Sequence, residues 1–256
     1  LEHDTEPASN SAYTQARARL SHTAFIELNQ KAVVEVMYGD DDYKRFKGWR
    51  LLGIDGSKVV VPDSADTINA FGQIEYKNAK VEGKRTYAMA SVLYDVQNKI
   101  AIDSQLAPAH AYEVNLAIAH LAHTQEKDLV VADRGYASYR FLATLSKQKR
   151  GFVIRCSAGS FGVAQRMLKG EGAASQIVTL HAPVDQKKTI LESELPEAIQ
   201  VRFVRIMLKT GEYEVLVTSL LDEASYSLED LAEIYGLRWG IESFYGVLKT
   251  RLGLEN

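Results

Sequence analysis

The 256-residue sequence contains a single cysteine, Cys156, and only six histidines. One cysteine excludes an internal disulfide and leaves no cysteine-based zinc site. The histidines are scattered, except that His120 and His123 lie close together in AHLAHT, where we predict surface positions on a helix. The sequence therefore favours neither a disulfide-stapled protein nor a zinc protein.

Long apolar runs are also absent. No stretch approaches the roughly 18 apolar residues that a membrane helix requires. The first ten residues, LEHDTEPASN, lack the basic and then apolar order of a secretion signal. We therefore predict a cytoplasmic protein without a membrane partner.

Neither charge sign dominates the composition. A net charge of −3 argues mildly against nucleic-acid binding. Binding surfaces are local, however, and Lys and Arg residues cluster within 147–155, 202–209 and 238–251. The alternative is that these residues are solubilising charges spread over the surface.

The spacing of apolar residues changes near Arg50. Residues 12–38 carry them at near-helical intervals and predict one or two helices. After Arg50, RLLGID and KVVVPDS predict two strands joined at Asp55-Gly56, followed by the strands TYAMASVLYDV and KIAIDSQLA. Residues 109–124 then predict a helix, LVVA a short buried strand, and the residues after Asp133 a second helix.

The segment between Asp133 and Glu242 spans 109 residues, more than one strand and one helix require. Its apolar runs, GFVIRC, SQIVTLHAP, KKTILES, AIQVRFVRIML and YEVLVTSLL, are short and separated by Gly, Pro and charged turns, which predicts a mostly β insertion. The helix that follows should begin after Ser227 with a capping box to Asp230. Its glycines at 236, 240 and 246 weaken it and suggest close packing.

Within that helix, Tyr235, Arg238, Glu242 and Lys249 would share one stripe about 60° wide. One carboxylate among two cations and a phenol suits a metal-binding acid beside phosphate-binding groups. The alternative is an ordinary solvated helix face.

This spacing resembles the signature of DDE transposases from bacterial insertion sequences, in the cut-and-paste branch that forms hairpin intermediates. The resemblance implies two upstream aspartates, and Asp55 in LLGIDGSKVVVP and Asp133 in DLVVADRGYASYRFLATL match the family's local patterns. It also implies an α/β fold, a ribonuclease-H-like mixed sheet with flanking helices that a mostly β insertion subdomain interrupts. The expected segments are an N-terminal helical segment at 1–48, a catalytic core at 49–150 and 223–256, and the insertion at 151–222.

The resemblance assigns Asp55, Asp133 and Glu242 to catalysis and to binding two Mg²⁺ ions, with Mn²⁺ able to substitute. Two such ions about 3.5 to 4 Å apart activate the nucleophile and relieve charge on the leaving oxygen, and Mg²⁺ prefers oxygen ligands. We expect Asp55 to bridge the ions. Each aspartate has an alternative, because Asp-Gly is a strong hairpin signal and Asp133 could serve a turn or a helix cap.

Contacts with DNA phosphates near the cleaved end are implied for Tyr235, Arg238 and Lys249. Arg134 and Tyr136 could approach the same phosphate, with local turn packing as the alternative. Hairpin-forming relatives place an aromatic residue of the insertion against a flipped base, and Tyr213 is the candidate here, unless it is an ordinary strand aromatic.

The function implied is that of a transposase catalytic core acting on double-stranded DNA, at element ends and target, as a homodimer in the bacterial cytoplasm and at the nucleoid. Water nicks the element end, the freed 3′ hydroxyl forms a hairpin, and after reopening it attacks target DNA. Both ends of the sequence look like cut points, so a non-catalytic remnant that retains DNA binding is the main alternative. A metal-independent glycosidase is a third, which the two cations near Glu242 disfavour.

Overall fold

The computed structural model describes residues 9–78 and 81–251. The chain divides into two compact units, residues 1–43 and 44–256. The first unit contains α1 (Asn10–Arg19), α2 (His22–Leu28), a π-helical segment (Asn29–Val34) and α3 (Glu35–Gly39). The helices predicted over 12–38 are thus confirmed. None of their described side chains is buried, so this unit has no core of its own among those residues.

The second unit is built on one mixed sheet of nine strands. They are β1 (Arg50–Val60), β2 (Gln73–Asn78), β3 (Val81–Asp95), β4 (Ile100–Pro108), β5 (Asp128–Ala132), β6 (Gly151–Cys156), β7 (Ser175–His181), β8 (Ala198–Met207) and β9 (Tyr213–Thr218). The order is β2-β3-β1-β5-β6-β9-β8-β7, and β4 pairs with β3. Strands β1, β5 and β6 are parallel neighbours, while the other pairs are antiparallel. The predicted mixed sheet with flanking helices is confirmed.

Seven helices accompany these strands in the described part of the second unit. They are α4 (Ala65–Phe71), α5 (Glu113–His120), α6 (Tyr139–Lys147), α7 (Gly162–Leu168), α8 (Lys187–Glu192), α9 (Leu228–Gly236) and α10 (Trp239–Arg251). The apolar sides of α9 and α10 pack on one face of the central strands, where Ile234 and Ile241 join Leu51 and Val131 in a single buried cluster. Side chains alternate between faces along a strand. The residues between Leu51 and Ile54 therefore serve cores on both faces of the sheet.

A buried ion pair ties the beginnings of β1 and β5 together. Arg50 donates two hydrogen bonds of 2.7 Å to the two carboxylate oxygens of Asp128, and the two residues are also register partners in the parallel pair. Both side chains are buried. A two-pronged contact of this kind adds geometric specificity to its charge attraction.

Two predicted strand boundaries are wrong. RLLGID and KVVVPDS form one strand, β1, because β3 pairs with it without interruption from Leu52 to Val60 and leaves no turn at Asp55-Gly56. KKTILES lies mostly in α8 rather than in a strand. The other four runs of the predicted β segment are strands: GFVIRC is β6, and the other three extend the central sheet beyond it. The division of the core at residues 151 and 223 stays a prediction.

The helix expected to carry all four signature residues is in fact two helices. The capping box of Ser227 and Asp230 is confirmed, but α9 ends at Gly236 and α10 begins at Trp239. Gly240 packs closely as predicted, because a Cβ there would lie 3.4 Å from the carbonyl oxygen of Val96. The same prediction is wrong for the glycines at 236 and 246, which have open space. The single stripe is therefore replaced by a helix, a short link and a second helix.

The surface position predicted for His120 is also wrong. Its ring is fully buried at the end of α5, with Nδ1 2.6 Å from the Asp103 carboxylate and Nε2 3.0 Å from the Ser91 hydroxyl. Burial acts to raise the pKa of Asp103, but hydrogen bonds from His120 and Gln105 hold it below its ordinary value. This buried network fastens α5 to β3 and β4.

Candidate active site

Asp55 lies within β1 at the point where pairing with β5 ends. The last parallel pair joins Ile54 to Ala132, so Asp55 and Asp133 are the next residues on two adjacent parallel strands. β1 itself continues to Val60 against β3. Ligands commonly bind at the carboxyl ends of parallel strands. The structure therefore brings the two predicted aspartates to one such position.

Asp133 caps the helical turn that follows β5. Its Oδ1 atom accepts the backbone N–H of Gly135 at 2.8 Å, and the turn covers Arg134–Tyr136. The capping role weighed from the sequence is thus real, and it coexists with the position beside Asp55. The hydrogen bond occupies one carboxylate oxygen and fixes the orientation of the group.

Like charges and burial perturb Asp55. Burial raises its pKa from the ordinary 3.8 to about 6, the Gly56 N–H opposes the rise, and the neighbouring Asp133 carboxylate adds to it. Arg238 lowers the pKa and Glu113 raises it by smaller amounts. A carboxyl group with a raised pKa near other acids is typical of a functional site.

Glu113 is an acid of this cluster that sequence reasoning missed. It lies in the first turn of α5, and its carboxylate is so close to β1 that a Cβ on Gly56 would lie 3.0 Å from Oε2. The Tyr136 hydroxyl donates a hydrogen bond of 3.1 Å to the same oxygen. A lone glutamate at a helix start carries no sequence signal, because first-turn acids are common for helix stability alone.

Helix α10 crosses β1 at the level of Asp55. Gly53 permits this approach, since a Cβ at that position would lie 3.5 Å from Ile241. The Tyr245 hydroxyl donates to the backbone carbonyls of Asp55 and Ala90, both at 3.0 Å. Gly53 and Asp55 point to the same face of the strand, so Glu242, the residue after Ile241, lies on the helix that covers this face.

Arg238 holds the Glu242 carboxylate. Its Nη2 donates to Glu242 Oε1 at 2.5 Å, and the arginine side chain is almost fully buried. Among the described residues, the Nε of Arg238 and the hydroxyl of Tyr235 are buried without a well-formed hydrogen bond, although the two side chains act on each other electrostatically. Unsatisfied buried donors are rare and call for an explanation. An anionic ligand such as a phosphate oxygen would supply the missing acceptor.

The other predicted DNA contacts lie in varied surroundings. Arg134 is exposed, Lys249 is half-buried in α10, and Tyr136 is completely buried. The Tyr213 ring packs against Gly170 and lies 4.9 Å from the Arg205 guanidinium. An exposed aromatic beside Arg238, Trp239, was not selected from the sequence. The structure thus places Tyr136 in the acidic cluster and packs Tyr213 against its own strand neighbours.

The acidic side chains fit a divalent cation by chemistry. They supply only oxygen donors, and Asp55 is destabilised in its charged form by burial and by Asp133. In the described ranges, no group of three or more His, Cys, Asp or Glu side chains is already arranged to hold a metal ion. The two aspartates are therefore the part of the predicted triad that fits such a cation in this conformation, while Glu242 is engaged by Arg238.

Comparison with protein families gives a match over most of the chain. The family described as "Transposase DDE domain" matches residues 49–256. A curated relative, "Transposase InsG for insertion sequence element IS4" of Escherichia coli (strain K12), is 25% identical over 94% of this chain. The chain spans about half of that relative, 53% of its length.

A solved structure shows a similar fold. The piggyBac transposase, in a cryo-EM structure titled as a synaptic complex with hairpin DNA, matches with a TM-score of 0.50 and 10% sequence identity. The match covers 94% of this chain and 48% of that one. This likeness supports the ribonuclease-H-like arrangement of the sheet. In the described part of the chain, no helix is long and apolar enough to cross a membrane.

Proposed function

Because the chain belongs to the family of transposase DDE domains, we propose that it is the catalytic core of an insertion-sequence transposase. It cuts and joins double-stranded DNA at element ends with the help of two divalent cations, Mg²⁺ or Mn²⁺. The observation that carries the proposal is the placement of Asp55 and Asp133 directly after paired residues of adjacent parallel strands. Such an edge brings two carboxylates together on a rigid scaffold.

The proposed role of each site residue follows from its charge. Asp55 and Asp133 would hold the cations, and Glu242 would complete the site from α10. When bound, the cations would make the attacking hydroxyl more acidic and offset charge on the leaving oxygen. Arg238 would grip a DNA phosphate in a planar fork, with Tyr235 donating its buried hydroxyl and Lys249 adding charge.

Engagement of DNA would change the partner of Arg238. In the present conformation its guanidinium binds Glu242, which leaves the glutamate less available to a cation. A phosphate that takes over this guanidinium would release Glu242 toward the aspartates. A hairpin intermediate and action by paired subunits belong to the same proposal, with Arg134 as a further phosphate contact and Tyr213 as the candidate for stacking on a base.

The direct test is nicking of supercoiled plasmid and of labelled short duplexes in Mg²⁺ or Mn²⁺. We expect cation-dependent nicks that Asp133→Asn abolishes, because the amide keeps the hydrogen bond from Gly135 but loses the charge. Asp222→Asn is the matched control, since Asp222 also accepts backbone N–H groups in a turn, at Ala224 and Ser225. Equal nicking by the Asp133 variant and the wild type would overturn the proposal.

A non-catalytic DNA-binding protein is the second candidate. The hydrogen bond from Arg238 to Glu242 favours it, because an acid held in this way is less available to a cation. DNA retention in a gel-shift assay without nicking in either cation would support this candidate. Nicking that depends on both Asp133 and Glu242 would exclude it.

A further inference from the structure

Glu113 is an acid of the candidate site that the DDE pattern does not assign. Among the described residues it receives a hydrogen bond from Tyr136 and forms no ion pair. The side chain is partly buried. A partly buried carboxylate without a cationic partner is costly unless something else offsets its charge.

Other acids in the same core show how this protein usually offsets such charges. Asp128 is paired with Arg50 through two hydrogen bonds, and Asp103 lies 2.6 Å from His120. Glu113 instead has a phenol, Tyr136, which orients the carboxylate and leaves its negative charge in place. The contrast indicates that the charge of Glu113 is meant for a ligand.

The surroundings of Glu113 are shaped to keep its carboxylate against Gly56, the residue that follows Asp55 in β1. A Cβ at Gly56 would lie 3.0 Å from Oε2 and 3.1 Å from Cδ. Contacts this short are tighter than ordinary packing, so any larger residue at 56 would push the carboxylate away. Because Gly56 has no side chain, the Glu113 carboxylate can occupy the space beside it.

The negative charge of Glu113 also acts on Asp55 and on side chains near it. Its charge acts on Asp55, on the buried hydroxyl of Tyr136 and on that of Tyr245. Asp55 and Asp133 act on the Tyr136 hydroxyl as well. Glu113, Asp55 and Asp133 thus act on the same neighbouring groups, and Arg238 is a cation that acts on Asp55.

We propose that Glu113 is a fourth acidic residue of the cation site: its carboxylate, held by Tyr136 and by the space at Gly56, raises the affinity of the site for divalent cations. The proposal rests on the proposed function, since it assigns Glu113 to the same cations as Asp55 and Asp133. It assigns Tyr136 the part of a positioning residue.

The test measures Mn²⁺ binding to the 256-residue chain by titration calorimetry, without DNA. Glu113→Gln keeps the size and an acceptor for the Tyr136 hydroxyl, and we expect its Mn²⁺ affinity to fall about 10-fold or more, as for other groups that support metal ligands. Glu229→Gln is the matched control, since Glu229 is also an acid in the first turn of a helix, α9. The control should bind Mn²⁺ like the wild type.

One further variant covers the case in which Glu113→Gln does not fold. Circular dichroism and thermal melting in chelator report whether Glu113→Gln folds. If it does not, Tyr136→Phe removes the hydrogen bond while the carboxylate stays, and we expect its Mn²⁺ affinity to fall several-fold. Wild-type affinity in every folded variant of Glu113 and Tyr136 would overturn the proposal.

Asp55→Asn separates this inference from the proposed function. If Asp55→Asn abolishes Mn²⁺ binding while Glu113→Gln binds normally, the inference alone is wrong. If neither variant changes Mn²⁺ binding, the cation site itself is misplaced and the proposed function fails with it. Loss of affinity in both variants, but not in Glu229→Gln, supports the inference.

Discussion

Replacing Asp55 by asparagine should stabilise the cation-free protein while it removes activity. Burial and the nearby Asp133 carboxylate raise the pKa of Asp55 from 3.8 to about 6, so its charged form is disfavoured in the folded protein. Asparagine removes that charge and retains an oxygen to accept the N–H of Gly56, which Asp55 accepts at 2.9 Å. The variant therefore loses a repulsion and keeps the local hydrogen bond.

The magnitude follows from the pKa. A rise from 3.8 to about 6 corresponds to about 3 kcal/mol at high pH. Asp55 keeps some exposure, and the unfolded chain is not free of interactions, so we expect a gain of about 2 kcal/mol in the free energy of unfolding. For a unit of this size that is a rise in melting temperature of about 4 to 8 °C.

The raised pKa also determines how the stability difference between the variant and the wild type changes with pH. Because the pKa is higher in the folded state, the folded protein binds more protons between about pH 4 and pH 6. The wild type therefore loses stability as the pH rises through this window, and the advantage of Asp55→Asn grows to its full value above about pH 6. Below about pH 4 both proteins carry a neutral group and the advantage vanishes.

The assay is thermal and urea unfolding in chelator at several pH values from about 4 to 8. The control is Asp128→Asn, a buried acid paired with Arg50, which should instead lose about 3 kcal/mol because the buried arginine loses the carboxylate that offsets its charge. Added Mn²⁺ should stabilise the wild type and not Asp55→Asn. An asparagine variant that is no more stable than the wild type at about pH 8, or whose advantage grows in acid, would refute the reasoning.

Three further predictions concern residues around the site. Gly53→Ala should lower the free energy of unfolding by about 1 to 3 kcal/mol and slow nicking, because its Cβ would lie 3.0 Å from Val96 and 3.5 Å from Ile241 of α10. Urea unfolding measures the stability and plasmid nicking measures the activity. Unchanged nicking would contradict the placement of α10. His120→Gln should lower the free energy of unfolding by about 1 to 3 kcal/mol with Mn²⁺ affinity unchanged, and a loss of affinity in calorimetry would show that the buried network reaches the site. Arg238→Gln should weaken binding of a short duplex in a gel shift more than it weakens Mn²⁺ binding, and the opposite order would argue against a phosphate contact.

The two aspartates could be predicted because the family resemblance implies them and each stands in a local pattern that matches the family. Asp133 follows a short apolar strand that is buried along its whole length, and the turn after it needs a capping oxygen. The prediction for Asp55 uses its position after the apolar residues of LLGID, whereas the prediction of a turn at Asp55-Gly56 is wrong. The β3 partner of Asp55 that keeps β1 straight at this point is Val92, 37 positions away, so no local pattern in the sequence indicates the pairing.

Residues whose role depends on tertiary contacts could not be predicted from the sequence. Glu113 contacts Gly56, and Tyr245 contacts the Asp55 carbonyl, only because α5 and α10 pack on β1. The buried Ser91, His120 and Asp103 come from three elements and could be mistaken for a catalytic triad, yet Ser91 is 0% exposed and no substrate reaches it. The break between α9 and α10 was hidden because the helical spacing continues across it.

The paired guanidinium and carboxylate of Arg50 and Asp128 have a consequence for the far end of their strands. Adjacent residues of a strand are about 3.3 Å apart, so a slip of a single position between β1 and β5 would bring Asp133 level with Ile54 and leave Asp55 without its neighbour. The two-pronged contact admits one alignment. This ion pair at the start of the strands therefore fixes the spacing of the two aspartates at their end, although the pair itself lies outside the reaction site.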